Sequence, residues 1–206
     1  YFYCMSTKEL LSKETPDTAL KKLLDGNERF RRHEHTFRDF MQEIEETKDE
    51  QFPFAAILGC MDSRVPVEIL FDQGIGQLFV LRVAGNIEND DIIAGLEYAC
   101  SVIGSKLIVV MGHENCGAVK AACDNVNIGH ITEIVKKIKP SIEILEETEA
   151  DWTESSFVNE IAKVNVMITI DEIREKSCIL RELEQNGQIK IVGAYYHVHS
   201  GTVEIV

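Results

Sequence analysis

The sequence predicts an α/β fold: a central, mainly parallel β-sheet of four parallel strands plus an antiparallel edge strand, flanked by helices. Three observations predict it. The runs Phe54-Ala55-Ala56-Ile57-Leu58-Gly59 and Leu107-Ile108-Val109-Val110-Met111-Gly112 are apolar without alternation, as strands buried on both faces of a parallel sheet should be. Segments with helical spacing separate the strand-like runs. Each of the two runs ends at a short polar motif, Cys60-Met61-Asp62-Ser63-Arg64 and His113-Glu114-Asn115-Cys116-Gly117, at the carboxyl ends where open α/β sheets bind ligands.

Along the chain, Thr15-Pro16-Asp17 opens a helix, with Thr15 as N-cap and Pro16 in the first turn. Ala19, Leu20, Leu23, Leu24, Asn27 and Phe30 continue it until Arg31-Arg32-His33-Glu34-His35 closes it; His33 and His35 cannot share a helix face and read as a solvated end. Asp39 to Glu50 is acidic and amphipathic, a second short helix suited to packing on a partner subunit. Gln51-Phe52-Pro53 leads into strand one, Phe54 to Gly59. Val65 to Phe71 reads as a helical turn or two, ended by Gly74-Ile75-Gly76, and strand two runs from Gln77 to Val83 before the break at Gly85-Asn86. A helix follows through Asp91 to Ala99, closed by Gly104, then strand three from Lys106 to Met111 and a helical stretch from Ala118 to Ala122. Ile131, Ile134, Val135 and Ile138 form an amphipathic helix that Pro140 is expected to interrupt; Ser141 to Asp151 reads as acidic and exposed, with Trp152 near a bend. Val158, Ile161, Ala162, Asn165 and Val166 mark a long helix, and a turn through Ile179, Leu180 and Leu183 stops at Asn186-Gly187. Strand four is Ile189 to Tyr196, and Ser200-Gly201 turns the chain into the antiparallel edge strand, Thr202 to Val206. The expected organisation is one domain, residues 1–206, with a helical arm over 1–50 and an α/β core over 51–206.

The 206 residues (23.3 kDa) suffice for one good core. A net charge of −14 and a pI near 4.8 argue against a nucleic-acid partner, which needs a basic face. No apolar stretch approaches the ~20 residues of a membrane span. Six cysteines stand at 4, 60, 100, 116, 123 and 178. Cys100, Cys123 and Cys178 read as small buried core residues, and a reduced, cytoplasmic chain is expected. The start Tyr1-Phe2-Tyr3-Cys4-Met5 is ambiguous: Met5 is either the native start or follows a removed targeting segment, so an exported or organellar form stays open, and Cys4 lacks the flanks of a lipid-bearing residue.

The two motifs carry the chemistry. Cys60, His113 and Cys116 would make a three-ligand zinc site, with Asp62 as a possible fourth ligand. Structural zinc sites bring paired C-x-x-C knuckles, and this chain has none. Spacing alone leaves a second reading open, a free cysteine beside an unrelated histidine.

C-x-D-S-R followed by H-x-x-C-G at this separation resembles the β-class carbonic anhydrases, and the resemblance runs from about Leu20 to Val206. It implies one Zn²⁺ per subunit on Cys60, His113 and Cys116, and an Asp62–Arg64 dyad beside the metal, with Asp62 moving onto zinc in a closed state. It implies reversible hydration of carbon dioxide to bicarbonate, zinc lowering the pKa of bound water from ~15.7 toward ~7 and Asp62 orienting the nucleophile. The plant-like, open-site branch is matched by Gln51, Phe79 and Tyr98; its pocket valine is Ala84 here, which should widen the pocket slightly. Substrate contacts then fall to Gln51, Val65, Phe79, Ala84, Tyr98 and the Gly117 backbone N–H. Arg82 and Tyr196 fall where a bicarbonate-inhibited bacterial branch has its anion ligands, but Ile57 replaces that branch's tryptophan, which puts the anion pocket in question. His197 and His199 depart from the family's commoner ending and read as surface or strand-edge residues. The family's subunits pair through N-terminal helices and extended sheets, implying a homodimer or a tetramer built from dimers. Two rivals share the ligand set: a carbon disulfide or carbonyl sulfide hydrolase on the same fold, and a non-catalytic zinc-stabilised assembly module.

Overall fold

The sheet at the centre of the molecule has the strand order β2-β1-β3-β4-β5, with β1 Ala55–Gly59, β2 Leu78–Arg82, β3 Leu107–His113, β4 Lys190–Tyr196 and β5 Val203–Ile205. The structure, a computed structural model, describes residues 7–147 and 153–206, so the readings on Cys4, Met5 and Trp152 lie outside the described residues. Strands β1 to β4 pair in parallel and β5 runs antiparallel on β4, as the sequence predicts. β1 and β3 are buried at every position, which is why neither alternates. The chain leaves β1 for β2 on one side and returns to β3 on the other. The crevice beyond the carboxyl ends of β1 and β3 is therefore the switch point of the topology.

Helices cover both faces. On one, α1 (Lys8–Lys13), α2 (Pro16–Arg31) and α4 (Val67–Leu70) bury Leu11, Ala19, Leu23, Val67 and Leu70 against Ile57, Val109 and Met111. On the other, α5 (Asp90–Glu97), α8 (Glu154–Lys176) and α9 (Cys178–Gln185) bury Leu96, Val166, Ile170 and Leu180 against Leu58, Ile108 and Val110. A third cluster, from α6 (Gly117–Cys123), α7 (Ile131–Glu146) and the first half of α8, closes over Cys60 and Cys116. The remaining helix, α3 (Phe40–Thr47), belongs to the arm. Its Glu43 is buried, bonded by Arg38 and by the Ile75 N–H, and Arg38 also donates to the Asp72 carbonyl.

Thr15 caps α2 in a box with Thr18, and Thr7 caps α1, a helix that the sequence reading did not include. After α5 the chain passes into a π-type turn, Tyr98–Ile103, closed by Gly104 in the left-handed region. Several expectations fail. Pro140 does not interrupt its helix: α7 runs through it to Glu146, because Val135, Ile138, Ser141 and Leu145 form one buried stripe whose packing outweighs the lost N–H. Within the stretch expected to be exposed, Ser141 and Leu145 are buried while Glu143, Ile144, Glu146 and Glu147 are exposed, and residues 148–151 lie outside the described residues. Cys178 is exposed, since Ser177 caps α9 and turns Leu180 inward instead. Cys123 is half-buried, and only Cys100 of that trio is fully buried. Among the described residues no helix is long and apolar enough to cross a membrane.

Candidate metal centre

Cys60 follows β1 directly and His113 ends β3, one strand away, with Gly59 registered against Met111. Cys116 comes from the tight turn between β3 and α6, which Asn115 makes possible by taking φ 54°. The ligand atoms of Cys60, His113 and Cys116 all lie within 4.8 Å of one another, and all three residues are buried. The two sulfurs are 3.9 Å apart. Tetrahedral zinc with bonds of about 2.3 Å would separate two sulfurs by about 3.8 Å, so the spacing fits the ion.

The imidazole is set for a metal. His113 Nδ1 lies 3.0 Å from the Glu114 carbonyl oxygen, which requires the proton on Nδ1 and leaves the Nε2 lone pair free. Nε2 is buried with no hydrogen-bond partner. An unpaired buried nitrogen costs on the order of 1–3 kcal/mol, which a metal bond would remove.

The thiols divide their roles. The hydrogen bond from Cys116 holds Cys60 down to about 4, against the opposing effect of burial and with help from His113 and the Asp62 and Gly85 backbone N–H groups. Cys116 is pushed up, first by that same bond and then by burial. The Gly85 N–H lies 3.4 Å from Cys60 Sγ. That residue has φ 73°, in the left-handed region that favours glycine. Asn165, buried on α8, holds the same turn through its 2.8 Å bond to the Gly85 carbonyl.

Asp62 stands beside the triad. Arg64 grips both its carboxylate oxygens, Nε to Oδ1 at 2.9 Å and Nη2 to Oδ2 at 2.8 Å, and the Arg64 backbone N–H adds a third bond at 2.9 Å. The guanidinium holds the Asp62 carboxyl down to about 2. Oδ2 lies 3.9 Å from His113 Nε2, so the carboxylate borders the ligand set while facing away from it. Arg64 also donates to the Asn115 carbonyl at 3.1 Å, linking the two motifs.

The remaining sequence-derived positions separate into two groups. Val65 is fully buried in the core beneath the Asp62 loop, Ala84 is half-buried next to Gly85, and Gly117 is exposed at the first turn of α6, directly after Cys116. Gln51, Phe79 and Tyr98 are not brought to this centre. Phe79 is registered against Ala56, about 13 Å back along the strand from Cys60 at ~3.3 Å per residue. Tyr98 meets it edge-on at 6.1 Å and is 47% exposed. Gln51 precedes β1 and lines a cavity of about 350 Å³ with Leu11, Phe52, Val102 and Lys106, at the opposite end of the sheet. His197 and His199 lie at the strand edge as expected, but each has a carboxylate partner: Glu204 at 3.3 Å and Glu114 at 2.8 Å. The His199 bond holds Glu114 below the usual carboxylate range and braces the turn between the ligands. Neither that brace nor Asn165 could be assigned from sequence, since each joins residues far apart in the chain.

Comparison with known proteins follows this geometry. Residues 55–203 match the family model described as carbonic anhydrase. A carbonic anhydrase of Mycolicibacterium smegmatis is 35% identical over 205 residues, covering 95% of each chain. Carbonic anhydrase 2 of Mycobacterium tuberculosis is 35% identical over 193 residues, covering 90% of each. Among solved structures, tetrameric β-carbonic anhydrases from Sordaria macrospora superpose with a TM-score of 0.73 at 26% identity, covering 79% of this chain and 85% of theirs. A β-carbonic anhydrase of Aspergillus fumigatus gives 0.74 at 23% identity, covering 92% and 89%, and supports the fold.

Proposed function

The chain belongs to the carbonic anhydrase family, and from that premise we propose that it interconverts carbon dioxide with bicarbonate and a proton, using one zinc ion per subunit held by Cys60, His113 and Cys116. The observation that carries the reading is the buried triad with an orphaned His113 Nε2 beside a carboxylate fixed by arginine. Zinc, when bound there, supplies the Lewis acidity that makes coordinated water a nucleophile near neutral pH.

The chain's own residues do the rest. Asp62, kept ionised by Arg64, accepts a hydrogen bond from the nucleophile and aims its lone pair at the carbon. The Gly117 N–H, in the first turn of α6, donates to a substrate oxygen as charge develops on it. Val65 and Ala84 supply apolar wall against an apolar substrate. Gln51, Phe79 and Tyr98 complete the pocket of a second subunit, because in their own chain they lie away from the centre. Exposed Phe37, Phe40, Met41 and Ile44 on the arm support that pairing, as does the open edge of β2. The functional unit is then a homodimer, alone or doubled into a tetramer. The Asp62–Arg64 pair argues against a non-catalytic assembly module, which would have no use for it.

Stopped-flow assay of the purified protein against carbon dioxide, carbonyl sulfide and carbon disulfide, with zinc content measured on the same sample, tests the reading. Fast carbon dioxide hydration at one zinc per chain is expected. Turnover confined to either sulfur substrate would move the assignment to that hydrolase, and zinc saturated by four protein ligands at every pH with no turnover would leave only the assembly module.

A further inference from the structure

The Asp62 carboxylate is fixed by Arg64, but that bond does not fix the backbone that presents both it and the Cys60 sulfur. Arg82, the last residue of β2, does. Its Nε donates to the Cys60 carbonyl at 2.9 Å and its Nη2 to the Asp62 carbonyl at 2.5 Å. One planar guanidinium therefore spans the carbonyls on either side of Met61, with two charge-assisted donors held in a rigid fork. The anchor is firm: β2 pairs with β1 through Leu58↔Leu81 and Gly59↔Arg82, and the Val83 N–H reaches the Gly59 carbonyl at 3.1 Å. Carbonyl and side-chain directions are linked through φ and ψ. Fixing the two carbonyls therefore constrains the Cα–Cβ directions from which Cys60 Sγ and the Asp62 carboxylate extend.

We propose that Arg82 is a positioning residue for the metal centre: by clamping the Cys60 and Asp62 carbonyls it keeps the thiolate turned toward His113 and Cys116 and the carboxylate turned toward Arg64. The clamp sets how tightly the centre holds its metal and how firmly Asp62 stays off it. The inference rests on Cys60 being a metal ligand. Arg82 is exposed, so removing it hands both carbonyls to water rather than orphaning them, and the effect is local to the loop. Lysine, a point charge with no fork, would hold one carbonyl at a time.

The test compares wild type, Arg82→Lys and Arg82→Ala as zinc-loaded proteins. Zinc affinity is read by competition with a chromophoric chelator, and coordination by the visible d–d spectrum after cobalt(II) replacement; kcat and KM complete the set. Arg82→Ala should lose about tenfold in zinc affinity, in the range expected when a partner of a metal ligand is removed. Its cobalt spectrum should change in intensity as Asp62 comes onto the metal, kcat should fall with KM little altered, and Arg82→Lys should lie between. An Arg82→Ala protein with wild-type chelator competition and cobalt spectrum would overturn the clamp. Should that variant fail to fold, Arg82→Lys decides, and wild-type behaviour in both readouts is again the overturning result. Failure of the wild type to hydrate carbon dioxide would remove the proposed activity but leave the chelator and cobalt arms fully able to judge Arg82.

Discussion

Asp62 and Cys60 sit two residues apart and should fail differently when changed. Cys60→Ser removes one of the three proposed ligands, so zinc content and hydratase rate should vanish together; a variant with full metal and rate would refute the ligand assignment. Asp62→Asn keeps all three ligands, so zinc should stay while kcat falls by roughly 10²-fold, the scale of a misaimed nucleophile. Loss of zinc instead would make Asp62 chiefly a ligand. The pH sign follows from the Arg64 bond. A carboxyl lowered from an ordinary 3.8 to about 2 stabilises the fold above its unfolded value, and that contribution fades as pH drops toward 2. Neutral-range changes in rate therefore belong to other groups. The ligands and dyad were legible in sequence because the two motifs concentrate rare residue types at strand ends. The tautomer of His113, the Gly85 N–H on Cys60 and the bracing of Glu114 by His199 were not, because they depend on register and on turns that residue type does not encode.

Helix α2 illustrates how an element can invert a propensity rule. Glycine inside a helix ordinarily costs about 1 kcal/mol against alanine. At Gly26, however, an added Cβ would sit 1.9 Å from the Phe71 carbonyl oxygen and 2.8 Å from its carbon. Backbone cannot yield as a flexible side chain can, so packing wins. Gly26→Ala should destabilise by about 1–3 kcal/mol, read as a lower midpoint in urea, and a raised midpoint would mean that α2 lifts off freely. Pro140 runs the other way: α7 carries it on an exposed position at a cost in backbone bonding, so Pro140→Ala should raise the melting temperature by a few degrees. Unchanged or lower melting would show the proline fitted without strain. Strands were readable from their apolar runs, since burial on both faces leaves a signal in composition alone. Helix ends near Pro140 and Ser141 were misread because the stripe that holds them is defined by its packing against α6 and α8, and the turn after Tyr98 has no sequence pattern of its own.

At the scale of the molecule, the candidate metal ligands lie at one end of the sheet, and Gln51, Phe79 and Tyr98 lie elsewhere. In the proposed homodimer, two copies bring these groups together. Phe40→Glu with Met41→Glu, at positions 58% and 73% exposed in the single chain, should shift the protein to monomer in sedimentation and depress the rate while leaving zinc content intact. An unchanged oligomer would clear the arm of that duty, and an active monomer would return Gln51, Phe79 and Tyr98 to other roles. The centre itself owes nothing to the second copy. Its ligands hang from β1 and β3, two neighbouring strands buried throughout and locked in register. The cage is thus built before its occupant arrives, unlike small zinc modules whose binding energy is also their folding energy. Stripping the ion with a chelator should leave an ordered protein that refills in one step without refolding. A ready-made cage of this kind also cannot reject a rival ion by refusing to fold around it. Selection would then fall to its two thiols and imidazole, which favour zinc and similar ions over hard ones, and to which of those ions is available.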